Sequence, residues 1–486
     1  MEKKKRKLDK HNHIASHSSE KKGRADELHT HDRISMPLAA LAVPMYLENL
    51  LRSLFSSVDV FMVSAYSEKA VAAVGLINQF SFFLILVYTM VGAGASTLIS
   101  QYLGARKNRE AGDAGIASFV LGTGFAIILS LGTVFGAHGI LGLYKLEPEV
   151  YKFAWEYLVI YGAGSVFVAF NIVQGTILRA YGYPKDTMWA NMIANVCNVF
   201  GNAIALYGLF GLPVTGVAGV AVSTVVSQII ACVILAVMIR IRKGVVLPWK
   251  DIFKIPGEMY RKLLFIGVPT AGENVSYSVM QMVIIGFIAQ VGTAAMNAHV
   301  YTYTILRFVF MPALTVGGAG QLKVGYLVGA KKFEIAERKV WGYFALSFAL
   351  SMSLMLLCYL LRFPIIHIFT KDAATVAMVA TLFLISFFRE SGRIPNIVVI
   401  PALKGSGDVI YPVICGLIFM WGIGVGGAWF LGIKMGLGLA GVWIAIAADE
   451  WLRGIAISLR WKSGAWKSKA LVHHDEVEPL VPGAEI

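Results

Sequence analysis

Three ionisable side chains, Glu48, Arg52 and Asp59, interrupt an apolar stretch that opens near Ser35 and closes near Ser64. A helix turns ~100° per residue, so Asp59 lies within about 20° of Glu48 around the axis, and Arg52 falls on the same stripe. A charge at the centre of a bilayer costs ~2.5–3.5 kcal/mol, so this face has to turn toward protein or water. Glu48 and Arg52 stand one turn apart, so Glu48 is either an ion-coupling residue alongside Asp59 or half of an ion pair that only fixes packing. Asp59 has no base one turn away, which makes it the stronger candidate for binding a transported cation.

Neutral oxygens recur in the same half of the chain. Asn191, Asn195, Asn198 and Asn202 form a polar stripe at helical spacing, and Ser223 and Thr224 follow in the next apolar run. Such groups hydrogen-bond helix to helix. Together with a carboxylate they are also what a hard monovalent cation requires. The second half holds Glu273, Arg307 and the pair Glu390 and Arg393, then Asp449, Glu450 and Arg453. These serve either ion coupling or a structural charge cluster. Tyr46, Phe55, Tyr277 and Tyr301 could wall a substrate site with apolar or cation–π surface.

The elements that must carry these residues follow from composition. The chain has 486 residues, 57% of them hydrophobic. Apolar runs longer than about 18 residues recur throughout, which predicts an all-α polytopic membrane protein. The net charge of +14 gathers in short segments flanking the spans, which argues for membrane topology and against a nucleic-acid partner. The four cysteines lie within apolar stretches at no metal-ligand spacing and read as packing residues. No P-loop is present, which excludes ATP as a fuel carried on this chain, and no resident cofactor or metal is expected. Gly436 to Gly441 spells G-x-G-x-x-G but follows no strand, and helix packing by small residues accounts for it. Neither HExxH nor GxSxG occurs and the histidines within the spans are isolated, so an enzyme is not expected.

The sequence repeats. Pro269-x-x-x-Glu273-Asn274 reproduces Pro44-x-x-x-Glu48-Asn49 at an offset of 225 residues, and Gly104-Ala105-Arg106-Lys107 answers to Gly329-Ala330-Lys331-Lys332 at the same offset. Asn171, Leu178 and Gly182 likewise match Asn396, Leu403 and Gly407. A register held this long is a duplication. Twelve spans are expected, six in an N-lobe over residues 35–242 and six in a C-lobe over 262–460, joined by a cytoplasmic linker at 243–261. An even number per repeat inserts both copies in one direction, so a pseudo-two-fold along the membrane normal should relate them. Basic loops at Arg106–Arg109, Arg179 to Lys185, Arg240 to Lys262, Lys331–Lys339 and Lys404 lie on one side. The positive-inside rule then makes both tails, 1–34 and 461–486, cytoplasmic in the plasma (inner) membrane. Residues 1–34 are basic and rich in histidine and show no signal-peptide core.

Several segments resemble the multidrug and toxic compound extrusion (MATE) family. Val58-Asp59-Val60 is similar to the V-D-T motif of its first span, and Leu103-Gly104-Ala105-Arg106, Leu178 to Gly182, Gly216 to Ala221 and Leu403 to Asp408 resemble its other motifs. The resemblance implies a two-lobed, V-shaped exporter, expected to act as a monomer in the bilayer. It would exchange organic, often cationic, compounds for H+ or Na+. In the family's N-lobe ion site, Asp59, Asn198 and Thr224 would hold corresponding places, with Asn202 standing where the family has an Asp. The family's seventh-span acid lies one turn beyond Glu273, where Tyr277 stands here. A flippase for lipid-linked saccharides shares this architecture and is the alternative; a cavity with more arginines than acids would favour it.

Overall fold

The computed structural model describes residues 33–472 and contains twelve long helices among them. The first six are α1 (Leu38–Tyr66), α2 (Glu68–Gly104), α3 (Asn108–Gly142), α4 (Pro148–Ala180), α5 (Pro184–Tyr207) and α6 (Gly216–Ile241). The second six are α7 (Gly257–Val291), α8 (Thr293–Gly329), α9 (Phe333–Leu360, continued by Arg362–Phe369), α10 (Ala373–Ser406), α11 (Ile410–Lys434) and α12 (Gly438–Lys462). Ten of the twelve are long and apolar enough to cross a membrane. The exceptions, α5 and α12, carry the asparagine stripe and the Asp449–Glu450–Arg453 group, so the two helices with the weakest apolar signal are polar where the bundle is buried.

Helix ends follow local chemistry. Pro148 and Pro184 start α4 and α5 at positions where a missing N–H costs nothing. Gly208 and Gly407 close α5 and α10 with positive φ. α7 starts at Gly257, earlier than the expected Lys262, because Pro256 in extended conformation precedes a first turn bearing Glu258. A bidentate pair, Arg242 Nε to Asp186 Oδ2 and Nη2 to Oδ1, each 2.7 Å, ties the end of α6 to the start of α5.

Packing within each half follows one plan. In the N-lobe α4 packs on α2, α3 and α6, while α5 packs on α1 and α6. In the C-lobe α10 packs on α8, α9 and α12, while α11 packs on α7 and α12. The lobes meet through α2, which packs on α7 and α8, and through α1 on α8.

The seam between them is self-complementary. Gln101 Nε2 donates to Gly405 O at 2.8 Å, and Tyr326 Oη donates to Ala180 O at 2.5 Å. Residues 101 and 326, like 180 and 405, are 225 apart, so one bond is the two-fold image of the other. Gly104 and Gly329 sit on the same axis. A Cβ on Gly104 would lie 2.1 Å from Tyr326 O, and one on Gly329 would lie 2.0 Å from Gln101 O. Only a missing side chain lets these backbones approach. Lys323 adds a further tie: its ammonium, buried in α8, donates to Arg33 O, Ile34 O and Met36 O at 2.6–3.1 Å. Among the described residues the hydrogen bonds between lobes gather at this one end, the end bearing the basic connections.

Gly104→Ala should therefore part the lobes. In a chain whose native cysteines are replaced, Thr97→Cys, fully buried at the seam, should resist N-ethylmaleimide. Adding Gly104→Ala should speed its labelling about tenfold or more, the effect of ~1.4 kcal/mol on an opening equilibrium.

Candidate ion-coupling site and interlobe cleft

α1 and α5 both begin at the seam end and run side by side, so equal steps along each stay in register. The stripe on α1 consequently meets the asparagine stripe at two depths. Glu48 faces Thr187 and Asn191, while Asp59, eleven residues on, faces Asn198 and Asn202, eleven residues beyond the first pair. A rise of ~1.5 Å per residue separates the two acids by about 16 Å. The structure thus keeps Asp59, Asn198, Asn202 and Thr224 together and sets Glu48 apart from them.

Around Asp59 the donors are amides. Asn202 Nδ2 donates to Asp59 Oδ1 at 2.9 Å. A carboxylate only accepts, so the Asn198 amide is oriented with nitrogen toward it. Its Nδ2 then donates to Asp59 Oδ2 at 3.2 Å and its Oδ1 accepts from Thr224 Oγ1 at 3.3 Å. Ser223 Oγ supports the same turn by donating to Asn198 O at 2.9 Å. Asn202 Oδ1 is buried with no hydrogen-bond partner among the described residues. Tyr157 of α4 closes the wall beside Thr224 and Asp59. Sequence reading missed it, since an isolated tyrosine in an apolar helix gives no signal. The arrangement offers carboxylate, amide and hydroxyl oxygens on three helices with no base among them, which suits a proton or a small monovalent cation.

Glu48 has a different setting. It accepts from Asn191 Nδ2 at 2.8 Å and Thr187 Oγ1 at 3.2 Å, and both Arg52 Nη2 and Arg179 Nη1 stand 3.6 Å from its Oε1. In the C-lobe Glu273 pairs with Lys404 at 2.6 Å. Lys404 is the repeat counterpart of Arg179, and Gly416, the counterpart of Asn191, lies against Glu273 where the amide donor would be. An acid on the first helix and a base on the fourth of each lobe therefore form one duplicated ion pair. Glu48 and Glu273 are held by countercharges, apart from the Asp59 group. Arg179 and Lys404, expected among the loop charges, are instead bundle residues on α4 and α10. The offset that matched Glu48 with Glu273 also matches Arg179 with Lys404, and that signal was present in the sequence.

The C-lobe has no second Asp59 site. Ile284, fully buried, takes the place of Asp59, and Ile423 and Gly427 take those of Asn198 and Asn202. Instead α10 and α12 share one buried network. Glu390 lies 3.3 Å from Arg389 and 3.7 Å from Arg393, Arg393 lies 3.8 Å from Glu450, and Arg453 bonds both Asp449 and Glu450 at 3.0 Å. The 389–393 and 449–453 groups, read separately in the sequence, are thus a single net-neutral cluster. Asn396 Nδ2 donates to Glu450 Oε2 at 2.9 Å, and Trp443 and Phe310 lie under the Arg389 and Arg393 guanidiniums. Arg307 is not part of it. Its side chain is exposed on α8, on the stripe that leads to Gly318 and Gln321.

A cleft of about 530 Å³ opens between the lobes next to the seam. Glu48, Arg52 and Arg179 line it, together with the amides of Asn171, Asn195 and Gln321. Tyr46, Phe55, Tyr277 and Tyr301 do not. Tyr277 turns into the C-lobe and bonds Gln281 at 2.7 Å, and Tyr301 packs against Phe369. Helical rotation, which spacing alone left open, points these rings elsewhere.

A family model described as MatE matches residues 44–204 and 269–430, two stretches whose starts are 225 apart like the internal repeat. The chain belongs to the MATE family of transporters. An uncharacterized transporter of Bacillus subtilis, YisQ, is 35% identical to this MATE chain over 438 residues, covering 89% of the chain and 95% of that protein. A probable multidrug resistance protein NorM of Thermotoga maritima is 28% identical over 92% of the chain and 96% of its own length. Among solved structures, MATE in a bent conformation superposes with a TM-score of 0.83 at 20% identity, covering 90% of this chain and 98% of that one. A MOP superfamily transporter from Pyrococcus furiosus, reported with a binding pocket of reverse polarity, gives 0.81 at 21% identity over 88% and 96%.

The duplicated ion pair yields a cycle of variants. Breaking one partner of a buried pair costs about 3–5 kcal/mol, whereas removing both is much milder. Glu273→Gln and Lys404→Met should each lower the thermal stability of the purified transporter, and the double variant should recover most of the loss.

Proposed function

We propose that this transporter is a secondary active exporter, moving organic solutes outward in exchange for H+ or Na+ by alternating access of the two lobes. The Asp59 group carries the reading: a carboxylate with no base beside it, met by two amides, one of them backed by the Thr224 hydroxyl, and a buried Asn202 oxygen without a partner. An amide presents nitrogen on one side and oxygen on the other. With their nitrogens toward Asp59 the two asparagines satisfy a bare carboxylate. Turned over, they offer oxygens to a cation bound on it. Arrival of a proton or Na+ neutralises Asp59 and releases these donors, which loosens α1 from α5 and biases the lobes toward the opposite opening. The C-lobe cluster, net neutral, serves as a brace between α10 and α12, and Glu273 with Lys404 holds α7 to α10.

Two further features support export. Relatives such as those from Thermotoga maritima and Bacillus subtilis carry the name probable multidrug resistance protein. The basic connections, on one end of the bundle, fit a plasma-membrane protein with both tails in the cytoplasm. The flippase alternative draws on the cleft, where two arginines face one acid. A cleft of about 530 Å³ falls within the range of small-molecule sites and favours a compact solute over a lipid-linked saccharide.

Asp59→Asn should insert and accumulate like the parent while gradient-driven transport falls to background. Everted vesicles with pH and Na+ gradients imposed separately, and a panel of anionic and cationic fluorescent dyes, provide the measurement. Unchanged uptake in the variant would sink the coupling role, and uptake indifferent to both gradients would sink the exchange.

A further inference from the structure

The interlobe cleft has an unexpected sign for a carrier of organic cations. Its lining holds one carboxylate, Glu48, against two guanidiniums, Arg52 and Arg179, and contains no aromatic ring. Glu48 is not available to a cationic solute. Its oxygens already accept from Asn191 and Thr187, and both guanidiniums stand at the same Oε1. With no aromatic face there is also no cation–π surface to replace it.

The guanidiniums have donors to spare. Each carries five N–H groups, and each stands 3.6 Å from Glu48, beyond good hydrogen-bond length. Arg52 otherwise donates to Asn49 Oδ1 at 3.2 Å, and Arg179 to Thr176 Oγ1 at 3.5 Å. The Arg52 side chain is 65% exposed and that of Arg179 24% exposed, both on the cleft side of a nearly closed carboxylate. Planar forks of this kind match carboxylate and phosphate oxygens two at a time. Around them Asn171, Asn195, Gln228, Asn274 and Gln321 supply neutral donors and acceptors from both lobes.

We infer that the cleft takes a solute bearing an acidic group, a carboxylate or phosphate held by Arg52 and Arg179, with its neutral remainder against the surrounding amides. The inference rests on the exporter reading for its direction of transport, but its site is separate from the Asp59 group. Glu48 then acts as a positioning residue. It holds the two arginines at a common point and keeps their mutual repulsion in check until the acid arrives.

Equilibrium binding tests this without any gradient, so failure here is distinct from failure of ion coupling. Fluorescence anisotropy of the purified full chain would compare fluorescein, an anion, with ethidium, a cation of similar ring size. Fluorescein should bind about tenfold or more tightly than ethidium, the effect of one or two charge-assisted hydrogen bonds. Arg52→Gln should remove that preference and Arg52→Lys should retain part of it; the exposure of Arg52 leaves folding intact in both. Ethidium binding as tightly as fluorescein, absence of fluorescein binding, or a preference indifferent to Arg52→Gln would each overturn the proposal. Phenyl phosphate and a polyprenyl phosphate then compete for the bound dye. Displacement by the first supports a free acidic solute and displacement by the second alone a lipid headgroup, while displacement by neither overturns the acid-binding role.

Discussion

Charge inside a hydrocarbon slab has to be met within the bundle, and the two halves of this transporter meet that demand in one shared way and one divergent way. Both lobes set an acid on their first helix against a base on their fourth, Glu48 with Arg179 and Glu273 with Lys404. Beyond that level they part. The N-lobe leaves Asp59 with two amides but no countercharge, whereas the C-lobe fills the same position with Ile284 and moves its polar load to α10 and α12. A paired charge is fixed by its partner; an unpaired one is free to change partners. Under the proposed exchange cycle, this divergence would put ion exchange in the N-lobe and a brace in the C-lobe.

The seam gives this difference a mechanical outlet. Its closest approaches are backbone to backbone at Gly104 and Gly329, and its paired hydrogen bonds from Gln101 and Tyr326 are related by the pseudo-two-fold. Such an interface is isologous: the same patch of each half contacts the other. The cleft begins where the seam ends, which places Arg52 and Arg179 next to the hinge line and Asp59 farther along the same helix as Arg52. α1 thereby touches the cleft, the Asp59 group and, through α8, the other lobe. It shares that reach with α4, which carries Tyr157 beside Asp59, Arg179 on the cleft and Ala180 at the seam.

Much of this was legible in the residues. Composition and run length gave the membrane class and twelve spans, and the offset of 225 gave the duplication and the axis relating the halves. The eleven-residue interval on α1 gave a common face for Glu48 and Asp59, and the asparagine spacing gave the stripe that meets it. These signals are local, or they repeat, and a chain shows both without being folded. Spacing along one helix says nothing of its rotation against a neighbour, so it left open that Tyr46, Phe55, Tyr277 and Tyr301 lie off the cleft and that Arg179 and Lys404 turn into the bundle.

What the sequence by itself determined, then, is the set of helices, their doubling and the depth of each polar group, because hydrophobic periodicity and span length are properties of single segments. What only the tertiary structure decided is which groups meet: Arg179 with Glu48 and not with solvent, the 389–393 run with Asp449 and Glu450, Asp59 with amides alone. Those pairings join residues far apart in the chain, and they follow from helix rotation and close packing, which no single segment encodes.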